Sequence, residues 1–140
     1  MLILDTDTVS LFQAGPTPAR LRLTARLAAD GRPSKLTVVT FEEQMRGRVA
    51  YCAGAKTPEQ YTEAARRLSQ SLDFYRTSQL LPFDERAAAE FKRLRAAKIR
   101  VGTNDLRIAA IVLAHDALLL TRNLADFRRV PGLRAEDWSV

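Results

Sequence analysis

Met1-Leu2-Ile3-Leu4-Asp5-Thr6-Asp7-Thr8 opens the chain, and its reading decides the fold. Four apolar residues followed at once by acid and hydroxyl side chains read as a short buried strand turning into a helix. The pattern returns. Glu43 follows Leu36-Thr37-Val38-Val39, Asp105 opens the apolar stretch Leu106 to Leu113, and Asp126 lies just past Leu118-Leu119-Leu120-Thr121. Strands alternating with helices predict an α/β fold, with a mostly parallel sheet of about 4–5 strands covered by helices on both faces. In such a sheet, groups at the carboxyl ends of strands and at the following helix starts converge on one crevice. Asp5, Glu43, Asp105 and Asp126 are therefore expected to meet there. Several acids in one crevice repel one another, which suits a hard divalent cation rather than stability.

The rest of the chain follows the same alternation. Gly15-Pro16-Thr17-Pro18 breaks the chain, and a helical stretch carrying Leu21, Leu23, Ala25, Leu27 and Ala28 ends at Asp30-Gly31. Leu36 to Val39 is expected as the second strand, with Thr40 capping a helix to about Tyr51. Thr57-Pro58-Glu59 starts another helix, on which Tyr61, Ala65, Leu68, Leu72 and Tyr75 would form one face. Leu80 to Phe83 reads as a short strand that Pro82 places at an edge or a strand end. Asp84 caps the next helix, with Ala88, Phe91 and Leu94 inward. Gly102-Thr103-Asn104 recaps the chain before an apolar helix over 105–115. Ala117 to Thr121 is a strand, Leu124 to Phe127 a single turn, and Leu133 to Trp138 a last short strand. The whole of 1–140 reads as one domain.

Composition narrows the function classes. Hydrophobic residues make up 46% and charged residues 27% of 140 residues, as in a folded globular protein. Net charge is +6, from 22 Lys+Arg against 16 Asp+Glu, and lysine occurs only at 35, 56, 92 and 98. An arginine-rich surface around an acidic crevice predicts a polyanionic substrate. Cys52 stands alone, so no disulfide forms within the chain, and a reducing compartment is expected. The start shows no signal-peptide pattern and the apolar stretch 108–120 is interrupted by His115 and Asp116, so a cytoplasmic protein without a membrane span is expected.

Each acid also has a plain structural explanation. Asp5, Asp7, Glu42, Glu43 and Asp105 all stand near helix starts, where acids cap or favour the dipole. Of Asp5 and Asp7, the residue adjacent to the strand is the better ligand, and Asp7 caps or supports. Glu42 has Arg46 one turn on and reads as a solvated pair. Glu43 has Gly47 there instead, which leaves its carboxylate nothing to pair with. Asp105 opens a helix that is apolar nearly all round. Thr121 and Asn123 can hold neighbouring carboxylates, and Asp126 supplies the fourth acid. His115, the only histidine, is most simply a helix C-terminal residue.

Taken in order, Leu4-Asp5-Thr6-Asp7, Val39-Thr40-Phe41-Glu42-Glu43 through Gly47, Gly102 through Ala110, and Thr121-Arg122-Asn123 through Asp126-Phe127 resemble the PIN domain. The likeness is nearest to VapC-type toxins of bacterial toxin–antitoxin pairs and extends to Val130-Pro131-Gly132-Leu133 and Glu136-Asp137-Trp138. The resemblance implies a PIN-like fold and a Mg²⁺- or Mn²⁺-dependent endoribonuclease, usually dimeric and inhibited by a small antitoxin protein. Asp5, Glu43 and Asp105 match the three core acids, and Asp126 the more variable fourth. An acid often occupies the place of Asn123, so either Asn123 or Asp126 would complete the site. Thr6, Asp7, Thr121 and Asn123 would support the ligands, while Arg46, Arg122, Arg128 and Arg129 are candidates to grip RNA. Two other readings are a phosphatase of the haloacid dehalogenase type, with Asp5 as nucleophile, Asp7 as acid/base and Lys98 as its lysine, and a PIN-like interaction module with an idle site.

Overall fold

The computed structural model describes residues 1–140. Five short strands, all parallel, form one sheet in the order β3-β2-β1-β4-β5: β1 Leu2–Leu4, β2 Ser34–Thr37, β3 Leu80–Leu81, β4 Leu118–Leu120 and β5 Arg134–Glu136. Seven helices connect them: α1 Thr6–Gln13, α2 Pro18–Asp30, α3 Val38–Ala53, α4 Pro58–Arg76, α5 Glu85–Ala96, α6 Thr103–Ala114 and α7 Leu124–Phe127. The expected α/β architecture, strand number and parallel pairing are all present.

Strand alternation divides the core. Ile3 and Leu119 pack with α5 and α6 residues such as Leu94, Leu106, Ile108 and Ile111 on one face. Leu2, Leu4, Leu118 and Leu120 pack on the other with Val9, Leu11, Leu23, Tyr75 and Trp138. Both central strands are thus buried on both faces, as parallel strands under crossover helices must be. Helix α6 is the most deeply set, and each fully buried Leu or Ile on it contributes about 1.5–3 kcal/mol.

Capping residues set most boundaries. Thr57 and Asp84 accept the expected backbone N–H bonds at the starts of α4 and α5, Thr17 does the same for α2, and Gly31 closes α2 in the left-handed conformation at φ 75°. Several local expectations are corrected. Strand β2 ends at Thr37, two residues early, because Thr37 rather than Thr40 caps α3, its Oγ1 accepting from the Thr40 N–H at 3.1 Å. Helix α6 begins at Thr103 behind Gly102, without a side-chain cap. On α4 the inward residues are Ala64, Ser71 and Tyr75, while Tyr61 and Leu72 are 55% and 54% exposed. The inward face is the one turned to α3, where Ser71 meets Arg48 and Tyr75 meets Gln44 and Phe41. Likewise α5 buries Ala87 and Leu94, with Ala88 and Phe91 at the margin.

Between β1 and β4 the chain's direction of travel across the sheet reverses. Connections from β1 run through β2 to β3 on one side, and those from β4 to β5 on the other. The carboxyl ends of β1 and β4 therefore flank a switch point, where an open α/β sheet leaves a crevice.

Candidate active site

Asp5 leaves β1 directly into this crevice. Its side chain is the N-cap of α1, with Oδ1 accepting from the Thr8 N–H at 2.8 Å, a role the sequence had left to Asp7. Oδ2 accepts from the Thr121 hydroxyl at 2.5 Å, so the end of β4 holds the acid at the end of β1. The Thr8 hydroxyl donates to the Leu120 carbonyl at 3.0 Å and ties the first turn of α1 to the end of β4. Asp5 is only 4% exposed. Burial raises its pKa; bonds from Thr121 and Thr8 oppose that, and the nearby Asp7 charge adds to the rise. Asp7 itself is exposed on the first turn and caps nothing, so it acts here through charge.

Glu43 enters from α3. The Thr6 hydroxyl donates to its Oε1 at 2.8 Å and lies 3.2 Å from the Thr40 hydroxyl, joining α1 to α3. Glu42, one residue earlier, points to solvent and pairs with Arg46 at 2.5 Å. Asp126 stands on α7, where the Asn123 amide donates to Oδ2 at 2.9 Å and Arg129 lies 3.8 Å from Oδ1. Asn123 is itself oriented by its N–H bond to Thr121 Oγ1. Thr121 therefore positions two parts of the site at once.

Asp105 shows that these acids share one field. It sits in the first turn of the buried helix α6, half-buried, and its pKa is raised to about 6. The causes are burial first, then repulsion by Glu43, Asp5, Asp126 and Asp7 in that order. No hydrogen bond or cation offsets them. A carboxylate crowded by four others and paired with none is a ligand-type group, because pairing would be the cheap structural solution.

Donor chemistry fits a hard divalent cation: only oxygens, supplied by carboxylates from α1, α3, α6 and α7. As they stand, no three of them close on a common centre at the separation a cation would impose. Asp5, Asp105 and Glu43 are the residues that would hold such an ion.

Around Glu43 the surface is open. A hollow of ≈ 370 Å³ runs along α1 and α3, lined by Thr6, Ser10, Gln13, Glu43, Gln44 and Arg48, and another of ≈ 340 Å³ lies across Gly47 towards Arg46 and Asn104. A Cβ at Gly47 would meet nothing within 4 Å. Gly47→Ala is accordingly expected to stabilise α3 by about 0.5–1 kcal/mol, read as a raised melting temperature, whereas Gly47→Phe should obstruct both hollows and depress activity. A destabilised Gly47→Ala protein would show that the glycine is needed for backbone geometry.

Of the candidate arginines, Arg122 and Arg128 are exposed and unpaired, Arg129 also donates to the Arg100 carbonyl at 3.1 Å, and Arg46 on α3 is occupied by Glu42. Thr6 and Thr121 were expected to support carboxylates, but which acid each meets has no local signal. Thr6 to Glu43 and Thr121 to Asp5 span 37 and 116 residues, and only folding brings them together.

Residues 2–133 match the family model described as PIN domain. The chain belongs to the PIN domain family. Among PIN-domain relatives, a "tRNA(fMet)-specific endonuclease VapC" of Shigella flexneri is 35% identical over 141 residues, covering 98% of this chain and 97% of that one. Other curated relatives match over less: the alignment spans 28% of a "Ribonuclease VapC2" of Rickettsia felis and 58% of the Salmonella typhimurium endonuclease. A solved structure of DNA-bound VapBC from Salmonella typhimurium superposes with TM-score 0.74 at 27% identity, covering 98% of this chain and 97% of that one. A Mycobacterium tuberculosis protein described as a member of the VapBC family of toxin–antitoxin systems aligns with TM-score 0.50 at 26% identity, over 76% of this chain and 82% of that one. The PIN-type sheet order and the carboxylates at its switch point go together in this chain.

Proposed function

We propose that this PIN-domain protein is a divalent-metal-dependent endoribonuclease, the toxin of a toxin–antitoxin pair. The observation that carries the reading is Asp105, held without a partner and repelled by Glu43, Asp5 and Asp126. The full-length likeness to the Shigella endonuclease supplies the substrate class, and the VapBC neighbours supply an antitoxin partner. When bound, Mg²⁺ or Mn²⁺ would neutralise the acids, polarise the scissile phosphate and acidify a water.

The chain's own residues have separable tasks. Asp5, fixed by Thr121 and Thr8, and Asp105, fixed at the mouth of a buried helix, are the ligands. Glu43 is held by Thr6 beside the open hollows, placed to orient the attacking water and accept its proton. Asp126, steered by Asn123, completes the set. Arg122 and Arg128 remain free to meet phosphates. Exposed Val49, Tyr51, Tyr61 and Leu72 on α3 and α4 support a homodimer. No helix is long and apolar enough to cross a membrane.

A phosphatase with Asp5 as nucleophile fits less well, because Lys98, the lysine that chemistry needs, is exposed in the turn after α5 and is not among the charges acting on Asp5 or Asp105. The deciding experiment is RNA cleavage by purified protein, expected to vanish in EDTA and to return on adding Mg²⁺ or Mn²⁺. Undiminished cleavage in EDTA, with contaminating nucleases excluded, would overturn the proposal.

A further inference from the structure

The hollow beside Glu43 continues past the acids. It meets a second cavity of ≈ 210 Å³, and the two share Gln13 and Arg48. Arg48 lies five residues beyond Glu43, about 7 Å along α3. Ala14 is the only hydrophobic residue lining the first hollow, an inhospitable floor for an amphipathic helix and a suitable one for a polar strand. Its size lies at the lower end of the about 300–1,000 Å³ of small-ligand sites, room for one nucleotide-sized group.

Two side chains in this hollow are held in place with hydrogen-bonding capacity left over. Gln13 Nε2 donates to Gln44 Oε1 at 2.9 Å, and the same oxygen accepts from the Tyr75 hydroxyl at 2.5 Å. Tyr75 is buried, and burial raises its pKa, so the phenol remains a donor. Gln44 Nε2 lies 3.4 Å from the Ser10 hydroxyl, which spans α1 and α3. This chain fixes the Gln13 amide while leaving its carbonyl oxygen and one N–H without a partner in the protein. The rotamer freedom that a free glutamine would lose on binding is thereby already lost. Arg48 is similar: its Nε donates to the Ser71 hydroxyl at 3.0 Å, no carboxylate pairs with it, and both terminal nitrogens are free. Arg67, at the far cavity, is by contrast occupied by Glu63 at 3.0 Å.

We propose that this hollow seats the nucleotide flanking the cut, with Gln13 reading its base and Arg48 holding its phosphate. The inference rests on the ribonuclease reading and deepens it: Gln13 becomes the specificity-determining residue of the same site. A glutamine amide pairs bidentately with adenine N6 and N7, so adenine is the expected base at that position.

The test uses metal-free full-length protein, so that it does not depend on cleavage. Binding of oligoadenylate and oligouridylate is followed by fluorescence anisotropy across a salt series for wild type, Gln13→Ala, Arg48→Ala, Arg48→Lys and the control Lys92→Ala. Gln13→Ala should reduce the adenylate-over-uridylate preference by about 5–50-fold. Arg48→Ala should weaken both oligomers alike, by about 3–10-fold, and flatten the slope of log affinity against log salt by about one phosphate contact. Arg48→Lys should retain that slope, and Lys92→Ala should match wild type. A second arm maps cleavage sites in a random-sequence RNA pool with Mn²⁺, where Gln13→Ala should erase preference at one flanking position. A merely structural Gln13–Gln44–Tyr75 chain would lower the melting temperature without moving base preference, and that result overturns the proposal. So does an unchanged salt slope in Arg48→Ala, or variants that lose only a co-expressed protein partner. Absence of cleavage by wild type, with the Gln13 and Arg48 effects on binding intact, would instead sink the nuclease reading and uphold the groove.

Discussion

Asp105→Asn is expected to abolish RNA cleavage while making the metal-free protein more stable. Loss of activity should exceed about 100-fold, since even the outer supports of a metal ligand are felt at 10–100-fold. The stability gain has a separate cause. At pH 7 the Asp105 carboxyl, with its pKa near 6, is charged in the presence of Glu43, Asp5 and Asp126. Asparagine keeps the shape and removes the repulsion. Because Asp105 is half-exposed, solvent screens much of the shift, and a gain of about 1 kcal/mol is reasonable. For a chain of this size that raises the melting temperature by about 3–5 °C. Asp5→Asn should lose activity equally, with less effect on stability, because the asparagine oxygen can still cap α1 while its amide N–H donates to the Thr121 hydroxyl, reversing that bond. Thermal melts in EDTA together with cleavage assays in Mg²⁺ check both halves. Wild-type turnover in either variant removes that residue from the site, and a lower melting temperature for Asp105→Asn refutes the electrostatic account.

Two adjacent glutamates should behave very differently. Glu43→Gln is expected to lower cleavage on the order of 100-fold, because its carboxylate faces the other acids and the open hollow while Thr6 fixes one oxygen. The folded state should survive, since a glutamine oxygen can accept the same Thr6 bond. Glu42→Gln should stay within about twofold of wild type, as it breaks only an exposed i,i+4 pair worth a few tenths of a kcal/mol. Steady-state cleavage of one RNA by both variants makes the comparison. A severe Glu42 variant beside a mild Glu43 variant would reverse the assignment.

Local sequence determined a large part of this protein. Apolar runs ending in Asp5 and Thr121 mark strand ends, because a buried parallel strand has little choice but to be apolar throughout and to stop where polar groups begin. Thr57-Pro58 and Asp84 mark helix starts, because capping is settled within four residues. The same locality made Glu42 recognisable as solvated, since its partner Arg46 is one turn away. Where two local solutions were nearly equivalent the sequence pointed to the wrong one. Thr37 and Thr40 are both able to cap α3; the sequence favoured Thr40, and the folded chain uses Thr37, with Val39 buried in the core as part of the helix. Periodicity on α4 was equally ambiguous, and contact with α3 turned Tyr61 and Leu72 outwards.

What only the tertiary structure decided is the set of contacts between residues far apart in the chain. The Thr121 bond to Asp5 follows from β4 pairing with β1, and the Thr6 bond to Glu43 from α1 lying against α3. Repulsion of Asp105 by acids from three other elements, and the Tyr75–Gln44–Gln13 chain beside Arg48, exist only once the sheet order is fixed. Hydrophobic patterning and capping act over a few residues and are written in the sequence. Electrostatic crowding and side-chain networks depend on distances through space, which the sequence sets only by folding.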